Sequence, residues 1–202
     1  MTTMTRNVAV LGATGKLGSA LSRAIQADPA LNLTRVARRA PENQEGSRFL
    51  SADVGDIDAL EHVLTGQHAV ICAIPGSDLP RIAENLVTVM DRLGIKRLIF
   101  TGAVGIYNEI SAPDGIRHNV AHEPKQVPNR DAVGIVEASD LDYTILRPGF
   151  LRDGDADDVV LTPKGAPVAR YHTTIPSVVG FVMNLLKDET THLHESIAIT
   201  RK

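Results

Sequence analysis

Gly12, Gly15 and Gly18 stand three apart in "LGATGKLG", directly after the apolar run "VAVL" and at the opening of a stretch with apolar residues at helical spacing. A strand that enters a glycine turn and leaves as a helix makes a cradle for phosphate. The first glycine lets the chain turn, the second lets backbone N–H groups approach a pyrophosphate, and the third lets the helix lie close to the sheet. The helix N-terminus adds partial positive charge at the same place. The spacing is GxxGxxG rather than the GxGxxG of many dehydrogenases, so the strand and helix on either side carry the reading more than the glycines alone. The expected cradle comprises Gly12, Ala13, Thr14, Gly15, Lys16, Leu17 and Gly18.

A second pair of residues bears on which dinucleotide such a turn would hold. NAD is recognised by an acidic side chain at the end of the second strand, hydrogen-bonded to the adenosine ribose. Here that region reads "RVARRAPE", with Arg38 and Arg39 and no carboxylate before Glu42. Guanidinium groups favour the 2′-phosphate of NADP, so NADP(H) is expected in preference to NAD(H). Both arginines equally fit a solvated surface. In "SADVGD", Asp53 is placed to meet an adenine amino group and Val54 to pack on the ring; Asp53 also fits the cap of the following helix, as does Asp56.

The elements that must position these residues alternate along the chain. Strands are expected at 7–11, 31–37, 48–52, 68–74, 97–101 and 142–147, with helices from Lys16, from Asp56 to Leu64, across "DLPRIAENLVTVMDRLG", and from near Pro128 to Ser139. That alternation is the sequence form of βαβ units around a parallel sheet, an open α/β fold. Beyond Pro148 the rhythm changes to a strand at 158–162, a helix from Pro176 to about Lys187 and a strand at 196–200. The least regular segment, 102–127, is a connection long enough to be functional or mobile, leaving the fifth strand at the sheet edge where ligands bind.

Composition sets the class. At 202 residues, 43% of them hydrophobic and 22% charged, the chain suits one domain with one core. No apolar run is long enough to span a bilayer, and "MTTMTRN" lacks the pattern of a secretory signal. Net charge is −3 and the longest basic run is Arg38-Arg39, which argues against nucleic acid as a ligand. The only cysteine, Cys72, lies inside "AVICAI" and reads as a core residue; a cytoplasmic, disulfide-free protein is expected.

"LGATGKLG", "ADVGD", "RLIFTGAVGIY" and "DLDYTILRPGFL", in this order and spacing, resemble the atypical short-chain dehydrogenase/reductases, the NmrA-like NAD(P)H-binding group, over nearly the whole chain. The resemblance implies a Rossmann-type, doubly wound, mostly parallel sheet with helices on both faces, in one domain over 1–202 whose residues 149–202 form a short substrate-side lobe. It implies further cofactor contacts at Ala73 and Ile74, at Thr101, and at Pro148, Gly149 and Phe150. Catalytic members place a Tyr and a following Lys in the helix before "LDYT", the Tyr as proton donor. This chain has Pro128-Asn129-Arg130 there and no lysine between Lys125 and Lys164.

Two hydroxyls remain as tentative catalytic residues. Thr101, in "TGA", could orient a substrate, and Tyr107 is the nearest phenol to replace the missing acid; "GIY" equally fits a side chain folded over the sheet. No metal site is expected: His118 and His122 are four apart without a third ligand, and "DGDADD" at 153–158 fails the calcium-loop pattern. Tyr143 reads as a packed strand residue.

Two functions follow. One is an NADPH-dependent oxidoreductase passing hydride to a small acceptor such as a flavin or quinone, whose delocalised reduced anion needs positioning more than an acid. The other is a non-catalytic NADP(H) redox sensor acting through a protein partner, which must bind the oxidised and reduced forms unequally.

Overall fold

The computed structural model describes residues 5–39 and 48–202. Met1 to Met4 and Glu42, both read in the sequence, lie outside the described residues.

Strand and helix alternate through the first three-quarters of the chain: β1 (Arg6–Leu11), α1 (Lys16–Gln26), β2 (Leu31–Ala37), β3 (Arg48–Ser51), α2 (Ile57–Leu64), β4 (Ala69–Cys72), α3 (Leu79–Leu93), β5 (Arg97–Thr101), α4 (Val127–Glu137) and β6 (Asp142–Pro148). The chain ends with β7 (Phe150–Arg152), β8 (Val159–Pro163), β9 (His172–Thr174), α5 (Ile175–Lys187) and β10 (Glu195–Arg201). The main sheet runs β3-β2-β1-β4-β5-β6-β10-β8, parallel except for β8, which pairs antiparallel with β10 at the edge. Strand order reverses between β1 and β4, where the crevice of an open α/β sheet forms.

Burial explains the pattern. All of β4 and β5 is buried, as expected for parallel strands covered by helices on both faces. One core lies under α2, α3 and α4, with Leu60, Leu86, Met90, Phe100 and Val136; the other lies under α1 and α5, with Leu21, Ile25, Val178 and Leu186. Helix boundaries follow local chemistry. Asp56 caps α2 by accepting from the backbone N–H of Asp58 and Ala59, and α3 stops at Gly94, whose φ of 67° is the left-handed ending glycine permits. No described helix is long and apolar enough to cross a membrane.

Of residues 149–202, only β7 and β9 stand outside the main sheet, as a small parallel pair, while α5 packs on α1 and β8 and β10 extend the sheet. The 102–127 connection is tied down. Ile110 bridges to Val168, the side-chain amide of Asn119 bonds both backbone groups of Ile110, and Val104, Ile106, Ile110 and Ala112 are buried. An ion pair between Glu109 and Arg147 of β6, buried on both sides, joins this connection to the sheet. Arg147 also reaches Ser196, donating from Nε to Oγ at 3.1 Å and from Nη2 to the carbonyl at 3.3 Å.

Candidate functional site

The glycine turn is built as its spacing requires. Gly12 has φ of 79°, and a Cβ there would come within 2.7 Å of the Ala73 carbonyl; a Cβ on Gly18 would strike the Gly12 carbonyl. Only glycine lets β1, β4 and α1 approach this closely. Gly15 precedes α1 in extended conformation, no side chain caps this helix end, and its first turn carries no acidic residue. An uncapped, unneutralised helix N-terminus over the end of β1 fits a pyrophosphate.

A cleft of about 410 Å³ opens beside it. Its walls bring together Gly12, Thr14 and Gly15 from the turn, Arg38 after β2, Asp53 and Val54 after β3, and Ala73 and Ile74 after β4. These residues come from four loops at one edge of the sheet, so a shared cleft is a fact of topology. Asp53 does not cap α2: its Oδ1 accepts the Gly55 N–H at 2.9 Å, shaping the 53–55 turn, and Asp56 takes the capping role. Arg38 is held by its backbone, its carbonyl accepting from Ser51 Oγ at 2.9 Å, and the residue is exposed in the cleft wall.

Other expected residues are placed nearby. Ala13 and Leu17 are buried under the turn, and Lys16 reaches outward to Asp153 at 3.1 Å. Arg39 is exposed and does not line the cleft. Pro148 and Gly149 are buried at the end of β6, where Gly149 has the Tyr171 carbonyl against the position a Cβ would take. Phe150 is 57% exposed.

The two tentative catalytic hydroxyls are engaged elsewhere. Thr101 donates its proton to the Cys72 carbonyl at 2.8 Å, tying β5 to β4. Tyr107, read in the sequence both as a substitute acid and as a side chain folded over the sheet, is held among protein groups. Its phenol donates to Glu137 Oε1 at 2.7 Å and lies 3.3 Å from Ser196 Oγ, and its ring sits under the Arg147 guanidinium and the Lys164 ammonium at 4.9 and 4.7 Å. Burial, reinforced by the Glu137 carboxylate, pushes its pKa up, and it lines no wall of the cleft. The physical reason is that the 102–127 connection folds back over β6, carrying the side chain onto the α4 side of the sheet. Where resemblance expects the usual phenol, Asn129 donates its amide to Gln126 Oε1 at 3.0 Å. Cys72 is buried in β4 with its thiol pushed up to about 12, a core residue as read.

The sequence reading missed a ring cluster and part of the cleft wall. Tyr171 stacks on His118, with centroids 4.8 Å apart and planes 5° from parallel, and both Phe150 and His172 lie against it. His172 also pairs with Asp114 at 3.0 Å, so the connection after β5 and the start of β9 meet around Phe150. Nothing in local spacing joins residues 118, 150 and 171. Pro75, Gly76, Ser77, Asp78 and Arg81 also line the cleft. The "PG" dipeptide after β4 was a usable signal for a strand-end turn.

A sequence model of a family described as NAD(P)H-binding matches residues 12–189. No protein of curated function matches the chain in sequence. Among solved structures, a Rossmann-fold NAD(P)-binding family protein from Shigella flexneri is 28% identical, with a TM-score of 0.81 over 97% of this chain and 93% of that one. A short-chain dehydrogenase/reductase from Veillonella parvula, solved in complex with NADP, is 22% identical, with a TM-score of 0.82 over 98% and 95%. ChuY, an anaerobilin reductase from Escherichia coli O157:H7, is 18% identical, with a TM-score of 0.81 over 96% and 97%. With the glycine turn, the strand-end cleft and the family match in agreement, the chain belongs to the NAD(P)H-binding family and has the fold of its Rossmann-type members.

Proposed function

We propose that the protein is an NADPH-dependent oxidoreductase that transfers hydride to a small planar acceptor, a flavin or a quinone. The observation that carries the acceptor class is Phe150, a phenyl ring left 57% exposed immediately after β6. An exposed ring at a strand-end site offers a stacking face to a conjugated ligand. The hydroxyls of Thr101 and Tyr107 are bonded within the protein, which suits acceptors whose reduced anion is delocalised.

When bound, the nicotinamide supplies two electrons as hydride, and the acceptor takes its proton from solvent. The chain's own work is to bind and orient. The first turn of α1 faces the pyrophosphate with backbone N–H groups, and Arg38 pairs with the 2′-phosphate, the basis for preferring NADPH over NADH. Asp53 keeps one carboxylate oxygen beyond its bond to Gly55 for the adenine amino group. Phe150 holds the acceptor plane. The proposal extends to a cytoplasmic location, supported by a single thiol kept in the core.

The test is NADPH consumption by the purified protein against flavins, quinones and small carbonyls, with anaerobilin included because ChuY shares the fold. Turnover with flavins or quinones and not with carbonyls is expected. Comparable carbonyl reduction overturns the acceptor class. Silence across the panel with tight NADPH binding overturns the enzyme reading in favour of a redox sensor with a protein partner.

A further inference from the structure

Arg81, in the first turn of α3, has no role in the sequence reading and stands in the cleft wall beside Asp53 and Val54. Its position is set from both sides. Nη1 donates to the Gly55 carbonyl at 2.6 Å, and Nη2 lies 3.6 Å from Asp78. A Cβ on Gly55 would come within 2.6 Å of the guanidinium carbon and 2.8 Å of Nη1, so the group rests directly on the backbone of the 53–55 turn. One helical turn on, Asn85 donates to the Gly55 carbonyl at 3.0 Å and toward that of Val54 at 3.4 Å. Arg81 and Asn85 together hold the turn that presents Asp53 and Val54, and Arg81 remains about half exposed, on the cleft side.

A guanidinium is planar, weakly hydrated and attracted to the face of an aromatic ring. Among the described residues its partners are the Gly55 carbonyl, at hydrogen-bond distance, and the Asp78 carboxylate, within ion-pair range, and about half of the side chain stays exposed. We propose that Arg81 is a base-recognition residue, its guanidinium lying against the adenine of the dinucleotide, so that α3 reads the base while Arg38 reads the 2′-phosphate. The inference rests on the cofactor assignment above and adds a division of labour to it: Arg81 serves NAD(H) and NADP(H) equally, and only Arg38 tells them apart.

Titration calorimetry on the intact protein with ADP-ribose and with 2′-phospho-ADP-ribose tests this without turnover. Arg81→Ala is expected to weaken both ligands about tenfold, the scale of a desolvated cation–π contact, whereas Arg38→Ala weakens only the 2′-phosphorylated ligand. Arg81→Gln keeps an N–H for the Gly55 carbonyl but not the planar cation, and is expected to lose as much as Arg81→Ala. Wild-type affinity in Arg81→Gln overturns the proposal, reducing Arg81 to a support for the turn. Unchanged affinities in Arg81→Ala, with Arg38→Ala still selective, overturn it while leaving the cofactor assignment intact. A loss confined to the 2′-phosphorylated ligand in Arg81→Ala overturns base recognition in favour of a phosphate role, and a wild-type protein that binds neither ligand overturns both readings.

Discussion

Replacing Glu109 by Ala isolates the most consequential polar contact in the core. Arg147 is fully buried and Glu109 nearly so; the Glu109 carboxylate receives Arg147 Nη1 on one oxygen and the Tyr107 backbone N–H, at 2.9 Å, on the other. Without the carboxylate, a guanidinium stays in the interior with only the Ser196 groups as acceptors, and a backbone N–H loses its partner. Breaking a buried ion pair by removing one member costs about 3–5 kcal/mol. For a chain of 202 residues, about 2–4 °C per kcal/mol makes that a fall in Tm of roughly 6–20 °C. Chemical denaturation should show the same loss, with m unchanged if the native state stays compact. Glu109→Leu combined with Arg147→Met removes both charges and should recover most of the stability, because desolvation of each ion is then avoided. A loss below about 1 kcal/mol in Glu109→Ala, the range of a solvated surface pair, would refute the argument from burial. So would a double variant no more stable than the single one.

Three further outcomes are expected of the same structure. Arg38→Ala should weaken NADPH about 10- to 100-fold, the range of a lost charge-assisted hydrogen bond, and leave NADH nearly unchanged; equal loss for both removes the 2′-phosphate assignment. Tyr107→Phe should leave the turnover of any accepted substrate unaltered and cost about 1 kcal/mol of stability, the bond to Glu137; a collapse of kcat without loss of stability would return Tyr107 to the reaction. Burial raises the Cys72 thiol from 9.0 to about 12, so the native state holds its proton where the unfolded state has lost it. That contribution to stability is fully present below pH 9 and is lost as pH rises toward about 12, and thiol alkylation at pH 8 should require unfolding. Rapid labelling of the native protein would refute the burial of Cys72.

Local chemistry made much of the fold legible. The runs "LNLTRVA" and "RLIFT" became β2 and β5 at the residues expected, β5 as a fully buried apolar segment and β2 as a largely buried one whose Asn32 stays exposed. α2, α3 and α5 were visible through Asp56, Gly94 and Pro176, residues whose effects act within a turn or two of themselves. β7 and β9 were not: three residues each, they exist only because Phe150 and His172 come side by side, 22 positions apart in sequence.

The same division runs through the site. Gly12, Gly15 and Gly18, read together with the strand before them and the helix after them, mark a tight strand-to-helix turn, since the backbone freedom and close approach that they allow are properties of glycine at that spacing. Arg38 could be placed by counting from a strand end. What lies across the cleft could not: Arg81 belongs to the site because α3 packs where its first turn meets the Gly55 carbonyl. Tyr107 shows the converse. Its sequence position, six residues beyond the end of β5, made it a candidate acid, yet the fold of residues 102–127 turns the phenol toward Glu137 and Ser196. Residue type and spacing determined which backbone shapes were available to this chain. The packing of distant elements, through the burial of Arg147 with Glu109 and of Tyr107 beside them, decided which side chains are taken up by protein partners.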